Sequence, residues 1–142
     1  MLKIELWGVP PVGQPRPRAT AVNGKVKVYQ ASGPATEYRA NLAAEAIKSG
    51  VKLGDGPIYL YASFFMARPK SHFRKDGSLV KGAPVTPGKP DLDNVVKVVM
   101  DALTFAGVWT DDSKVVGLSI YKHYTDTPLH TGTVLEAKKV EW

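Results

Sequence analysis

Cysteine is absent from the 142 residues, and histidine occurs only three times. The first absence excludes disulfides, thiolate zinc sites and a cysteine nucleophile, and is compatible with a reducing cytosol. His72, His123 and His130 stand at no ligand spacing, so surface or hydrogen-bonding roles are expected of them. Also lacking is any apolar run near the roughly 20 residues that span a bilayer. The opening MLKIELWGV carries no basic leader with a cleavage site, and a soluble, unprocessed, cytoplasmic protein with no membrane partner is the expectation. No internal repeat, low-complexity tract or interdomain linker divides the chain, which reads as a single domain over residues 1–142.

With 44% hydrophobic residues the chain can fill a core of ordinary size. Its net charge of +6 favours a polyanionic partner, a weak signal alone because many basic domains bind none. The distribution of charge says more. Arg68, Lys70, Arg74, Lys75, Lys81 and Lys89 stand against the single acid Asp76, and five of the thirteen acids then follow between Asp91 and Asp112.

The N-terminal residues alternate Leu2, Ile4, Leu6 against Lys3, Glu5, Trp7, the period of a half-buried strand. PPVGQPRPRAT interrupts with four prolines and places Arg16 and Arg18 on an extended backbone, as a stiff surface loop or as an arm that contacts phosphates. Lys25 to Tyr29 alternates again and is expected to form a hairpin with what precedes it across Asn23-Gly24. Thr36 to Lys48 holds good helix formers, with Tyr38, Leu42, Ala43, Ala46 and Ile47 at helical spacing and Gly50 beyond the end. Ile58 to Ala67, the most β-prone run, suits a central strand closed by Pro69. A long polar connection follows with a turn at Asp76-Gly77, and loops of this length in small domains are usually functional or disordered. Val115 to Tyr121, with Val116, Leu118 and Ile120 inward, and Thr133 to Val140, with Leu135 and Ala137 on one side, are expected to pair with each other. The fold class is α/β in the α+β sense: a small mixed β-sheet flanked by two main helices.

The second helix carries the chemistry. At about 100° per residue Val96, Val99, Met100 and Leu103 share one apolar arc, and Asp93, Lys97 and Asp101 share the adjacent one. Asp91 or Asp93 can cap the start, Pro90 keeps the preceding chain non-helical, and Gly107 is a suitable stop. Lys97, four residues after Asp93, puts a base beside an acid. Asp101 on the same side is expected to pair with Lys97. Asp111 and Asp112 follow the helix, and with Asp112 inward at the start of a strand Asp111 would point outward.

Two carboxylates about 4 Å apart repel by about 4 kcal/mol at an effective dielectric of about 20, so such a cluster needs protons, hydrogen bonds or a cation. Oxygen-only ligands point to Mg²⁺ or Mn²⁺ rather than zinc. Beside a basic surface, such ions suit phosphodiester hydrolysis. An EF-hand loop counted from Asp91 would need Gly and Glu where Val96 and Ala102 stand. The spacing of Asp91 and Asp93 also matches haloacid-dehalogenase-type phosphatases, but those place the acid after an apolar strand, and PVTPGKP precedes this one. The bland alternative, acids that merely cap a helix and a turn, loses weight to the second acidic pair and Lys97.

KPDLDNVVKVVMDAL followed by GVWTDDSKVV resembles the RusA family of Holliday junction resolvases, found in bacteria and their phages and prophages, and PVGQPRPRAT resembles that family's start. The resemblance implies a homodimer that binds four-way DNA junctions and makes paired, Mg²⁺-dependent cuts in recombination, repair or phage DNA processing. It implies catalytic and metal-binding roles for Asp91 and Asp93, as the DxD acids, and for Asp112, as the second acid of the DD pair; Lys97 would be catalytic. Arg16, Arg18, Arg74, Lys75, Lys81 and Lys89 would hold phosphates without reading bases. A two-fold dimer would match a roughly two-fold junction with one site on each side. The alternative is a catalytically silent module that binds branched DNA. Phe73 could wedge into a base stack or pack locally, and Trp7, Trp109 and Trp142 are assigned to core or dimer packing.

Overall fold

The computed structural model describes residues 1–14, 18–29, 33–125 and 127–141. Its centre is β4 (Ile58–Ala67), whose even-numbered side chains from Ile58 to Met66 are buried. A crossover through helix α2 (Leu92–Phe105) leads to β5 (Val115–Thr125), which pairs parallel with β4. Parallel neighbours need such a crossover, and α2 supplies it. The sheet is completed by β1 (Leu2–Trp7) and β6 (Gly132–Lys139) in the order β1-β6-β4-β5, with β6 antiparallel to both of its neighbours. Helix α1 (Pro34–Ser49) packs on α2 and β1, so both helices cover one face of a mixed four-stranded sheet. Apart from it, β2 (Arg18–Val22) and β3 (Lys25–Tyr29) form the hairpin expected at Asn23-Gly24, both turn residues having positive φ (51° and 74°), as a tight two-residue turn requires.

Several expectations are corrected. β5 and β6 do not pair: β6 inserts between β1 and β4, and Thr133, Leu135 and Ala137 are all fully buried there. β5 is left at the edge, so Val116 and Leu118, meant for the core, stay 54% and 42% exposed, and the strand runs on to Thr125. In α1 the buried side is Ala35, Tyr38, Leu42, Ala43 and Ala46, while Ile47 lies outside at 58% exposure. The buried side of α2 is wider than one arc: Val95, Val98 and Ala102 join Val96, Val99 and Leu103 because the helix meets both the sheet and α1.

The polar seam of this core is one hydrogen bond between the Tyr38 hydroxyl and Thr133 Oγ1, both buried. Burial pushes the Tyr38 phenol far above its ordinary pKa, so it stays neutral. Tyr38→Phe leaves the Thr133 hydroxyl unpaired and is expected to cost about 1–3 kcal/mol in urea unfolding at constant slope. A loss under about 0.5 kcal/mol would show that Thr133 takes another partner.

Candidate active site

Asp91 occupies the N-cap of α2, and its backbone carbonyl accepts from Asn94 N (3.1 Å) and Val95 N (3.2 Å). Its side chain makes no capping bond and instead meets Lys89 Nζ at 3.5 Å. Asp93 lies exposed in the first turn, where the helix dipole favours a negative charge. The approach to the helix is fastened from β5: Lys122 Nζ donates to Gly88 O (2.7 Å) and Pro90 O (3.3 Å). From the other side comes the segment after β1. Gln14 N donates to Asn94 O at 2.9 Å, and a Cβ on Gly13 would stand 3.1 Å from Asn94 Cβ and 3.2 Å from Pro90 Cβ, so glycine lets the chain lie against the helix start. Arg39 Nη2 on α1 donates to Gln14 Oε1 at 2.8 Å. Its Nε is buried with no hydrogen-bond partner among the described residues, which costs about 1–3 kcal/mol.

Asp93, Lys97 and Asp101 are exposed along one side of α2, with Asp101 about 12 Å further down the axis than Asp93. Asp101 forms no ion pair with Lys97 among the described residues. Its charge instead reaches Asp112, whose carboxyl it helps to raise. Residues Asp112–Lys114 form a 3-10 turn rather than the start of a strand, so the expected alternation of Asp111 outward and Asp112 inward does not hold, and both side chains are exposed. Asp111 Oδ1 accepts from Ser113 N at 2.9 Å, which holds its carboxyl below the usual range. The hydrogen bond shared with Asp111, then desolvation, then the charges of Asp111 and Asp101, push the Asp112 carboxyl up. The surroundings of Asp112, first its hydrogen bond with Asp111 and then burial and like charge, thus favour a proton or a cation there.

The structure therefore divides the expected acids between the two ends of α2. Asp91 and Asp93 stand by its N-terminus, and Asp112 lies near Asp101 beyond its middle. No three acidic or histidine side chains within one chain come together as a metal-holding group among the described residues. The chemistry of the donors at the N-terminal end still suits a hard cation: oxygen only, with Asp91 engaged by Lys89 and Asp93 by no described partner.

Arg74 and Lys75 sit on a small hairpin in which Arg74 N donates to Ser78 O (2.7 Å), Asp76 Oδ1 accepts from Ser78 N (2.9 Å), and Phe73 bridges to Leu79. The turn expected at Asp76-Gly77 is there, and both cations are exposed, as is Lys81. Lys89 is engaged with Asp91 across a surface pair worth about 0–1 kcal/mol, so a phosphate could draw it away. Arg16 lies outside the described residues, and Arg18 opens β2. Residues the sequence reading missed are Gln14, Arg39, Asn94 and Lys122. Only Asn94, inside PDLDN, carried a local signal; the others reach the helix start through the fold.

A family model described as endodeoxyribonuclease RusA matches residues 8–133. A Bacillus subtilis (strain 168) protein described as uncharacterized protein YqaN is 33% identical over 132 residues, covering 89% of this chain and 90% of the relative.

Proposed function

We propose, from the fact that the chain belongs to the RusA endodeoxyribonuclease family, that it resolves four-way DNA junctions by paired cuts that depend on a divalent cation. The observation that carries this reading is the position of Asp91 and Asp93 on the first turn of α2, directly after the basic stretch from Arg68 to Lys89. Asp91, Asp93 and Asp112 would hold Mg²⁺, or Mn²⁺ in its place. Bound there, the ion supplies the Lewis acidity that lowers the pKa of an attacking water and offsets charge on the phosphate. Lys97, one turn from Asp93, offers a positive charge or a proton to the departing oxygen. Arg74, Lys75 and Lys81 hold flanking phosphates, and Arg16, Arg18 and Lys89 are proposed for the same role from the sequence.

The separation of Asp112 from Asp91 supports a homodimer. Lys122, late in β5, touches the Asp91 end, whereas Asp112 immediately precedes β5, so the two acids lie about 20 Å apart along the strand. β5 is an 11-residue edge strand with Val116, Leu118 and Tyr121 exposed, the kind of edge that proteins cover. A two-fold axis at this edge would run β5 antiparallel to its copy and carry Asp112 of the partner subunit to Asp91 and Asp93. Without that pairing each chain keeps a divided acidic set, the feature that favours a silent junction-binding module.

The deciding experiment incubates the protein with a labelled four-way junction and the matching duplex, with Mg²⁺ and with EDTA. Symmetric nicks in the junction alone, lost in EDTA, are expected; binding without cutting under any divalent ion would establish the silent module. Junction affinity is expected to fall more than about a hundredfold between about 50 and 200 mM salt, since four or more phosphate contacts release counterions. A nearly flat response would remove the basic surface from the account.

A further inference from the structure

Between β4, which ends at Ala67, and α2, which starts at Leu92, runs a polar connection of a length that is usually either functional or disordered. This one is fastened at its base by a single side chain. Arg68 Nη1 donates to Pro84 O at 2.6 Å and lies 3.4 Å from His72 Nδ1, so one guanidinium joins the two arms of the connection. Arginine only donates, which makes the His72 Nδ1 the acceptor. The guanidinium carbon stands 4.4 Å from the centre of the Tyr124 ring, and the His72 ring meets the same tyrosine edge-on, with centres 5.5 Å apart. Tyr124 lies late in β5, two residues after Lys122, and strand alternation puts both side chains on one face. Lys122 ties down Gly88 and Pro90, so β5 fastens both the base of the connection and its last residues. Above this clamp the backbone closes on itself. Val80 N donates to His72 O at 2.9 Å and Arg74 N to Ser78 O at 2.7 Å, which leaves Arg74 and Lys75 exposed at the tip. Arg68 is only partly exposed, and its planar fork is committed to a carbonyl, an imidazole and an aromatic face.

We propose that Arg68 is a positioning residue: seated on Tyr124, it preforms the hairpin and aims Arg74 and Lys75 at the phosphate backbone, while itself contacting no DNA. The assignment rests on the junction-binding reading above and adds to it how the basic loop is held. A loop ordered before binding avoids the entropy loss that a free one would suffer on the DNA. Lysine cannot replace Arg68, because a compact ammonium cannot span Pro84 O and His72 while lying flat on the tyrosine ring.

The test follows four-way junction binding in EDTA, alongside amide hydrogen exchange, for wild type, Arg68→Met, Arg68→Lys and Tyr124→Leu. Exchange at the Arg74 and Val80 amides is expected to quicken about tenfold or more in all three variants, because the hairpin opens when its base is released. Junction affinity falls about tenfold in each, including Tyr124→Leu, which removes no charge. In the Arg74→Ala/Lys75→Ala background Arg68→Met has no further effect, since the residues it acts through are gone. Wild-type affinity in Arg68→Lys, with a loss only in Arg68→Met, would make Arg68 a phosphate contact and overturn the proposal. So would unchanged exchange in Arg68→Met and Tyr124→Leu, or an undiminished loss in the Arg74→Ala/Lys75→Ala background. Cutting plays no part in these readings. A wild type that binds junctions yet cuts them under no cation ends the nuclease reading and leaves the proposal standing, whereas a wild type that binds no junction overturns both.

Discussion

Mixing the Asp91→Asn and Asp112→Asn proteins is expected to restore junction nicking that neither has alone. Each substitution removes one carboxylate from the proposed cation site, and a loss of about 4 kcal/mol of transition-state stabilisation corresponds to about 10³-fold in rate. Junction binding by Asp91→Asn should stay close to wild type, since the phosphate-holding residues are untouched. When subunits exchange, half of the dimers are mixed. If β5 pairs across a two-fold axis, one site in each mixed dimer combines an intact Asp91 with an intact Asp112, so about a quarter of all sites are complete. The product should be singly nicked junctions, because the second site of the same dimer carries both substitutions. Co-refolded mixtures that stay as inactive as the separate variants would show that each chain's acids act on their own.

Trp109→Ala is expected to have the largest effect on stability, about 3–5 kcal/mol, a substantial share of the about 5–15 kcal/mol that holds a domain folded. Trp109 is 2% exposed, and its Nε1 donates to Thr104 Oγ1 at 2.7 Å, which itself donates to Met100 O at 2.8 Å. Its neighbour Val108 accepts from Leu53 N at 2.7 Å. The ring thus fastens the chain leaving α2 just before it presents Asp111 and Asp112. Urea unfolding followed by circular dichroism measures the loss. Trp7→Ala serves as the comparison: Trp7 is 46% exposed on the far face of the sheet, packed on Phe65 at 5.4 Å, and its removal should cost less than about 1.5 kcal/mol. Equal losses in the two variants would mean that the segment after α2 is held by its backbone bonds rather than by the indole.

Much of this molecule is written in local pattern. The alternation of Leu2, Ile4 and Leu6, the run from Ile58 to Ala67, the Asn23-Gly24 turn and the spacing of Val96, Val99 and Leu103 each name an element, because side-chain period and turn chemistry act over a few residues. The acidic stretch was legible for the same reason: Asp91, Asp93 and Lys97 fall within two helical turns, and the spacing itself places them. Even the edge position of β5 had a trace, in the polar pair Lys122 and His123 within the strand.

Tertiary structure decided what depends on partners distant in the chain. β6 sits between β1 and β4 because its fully buried side chains need strands on both sides and the helices above, a demand that no short window expresses. That choice leaves β5 with a free edge. Asp112 was expected beside Asp91, but a helix of 14 residues and the strand returning alongside it hold the two apart. Gln14 and Arg39, separated by 25 positions, meet only because the chain after β1 and helix α1 converge on the first turn of α2. Residue types and short spacings determined which groups are available for chemistry; long-range packing determined which of them stand together.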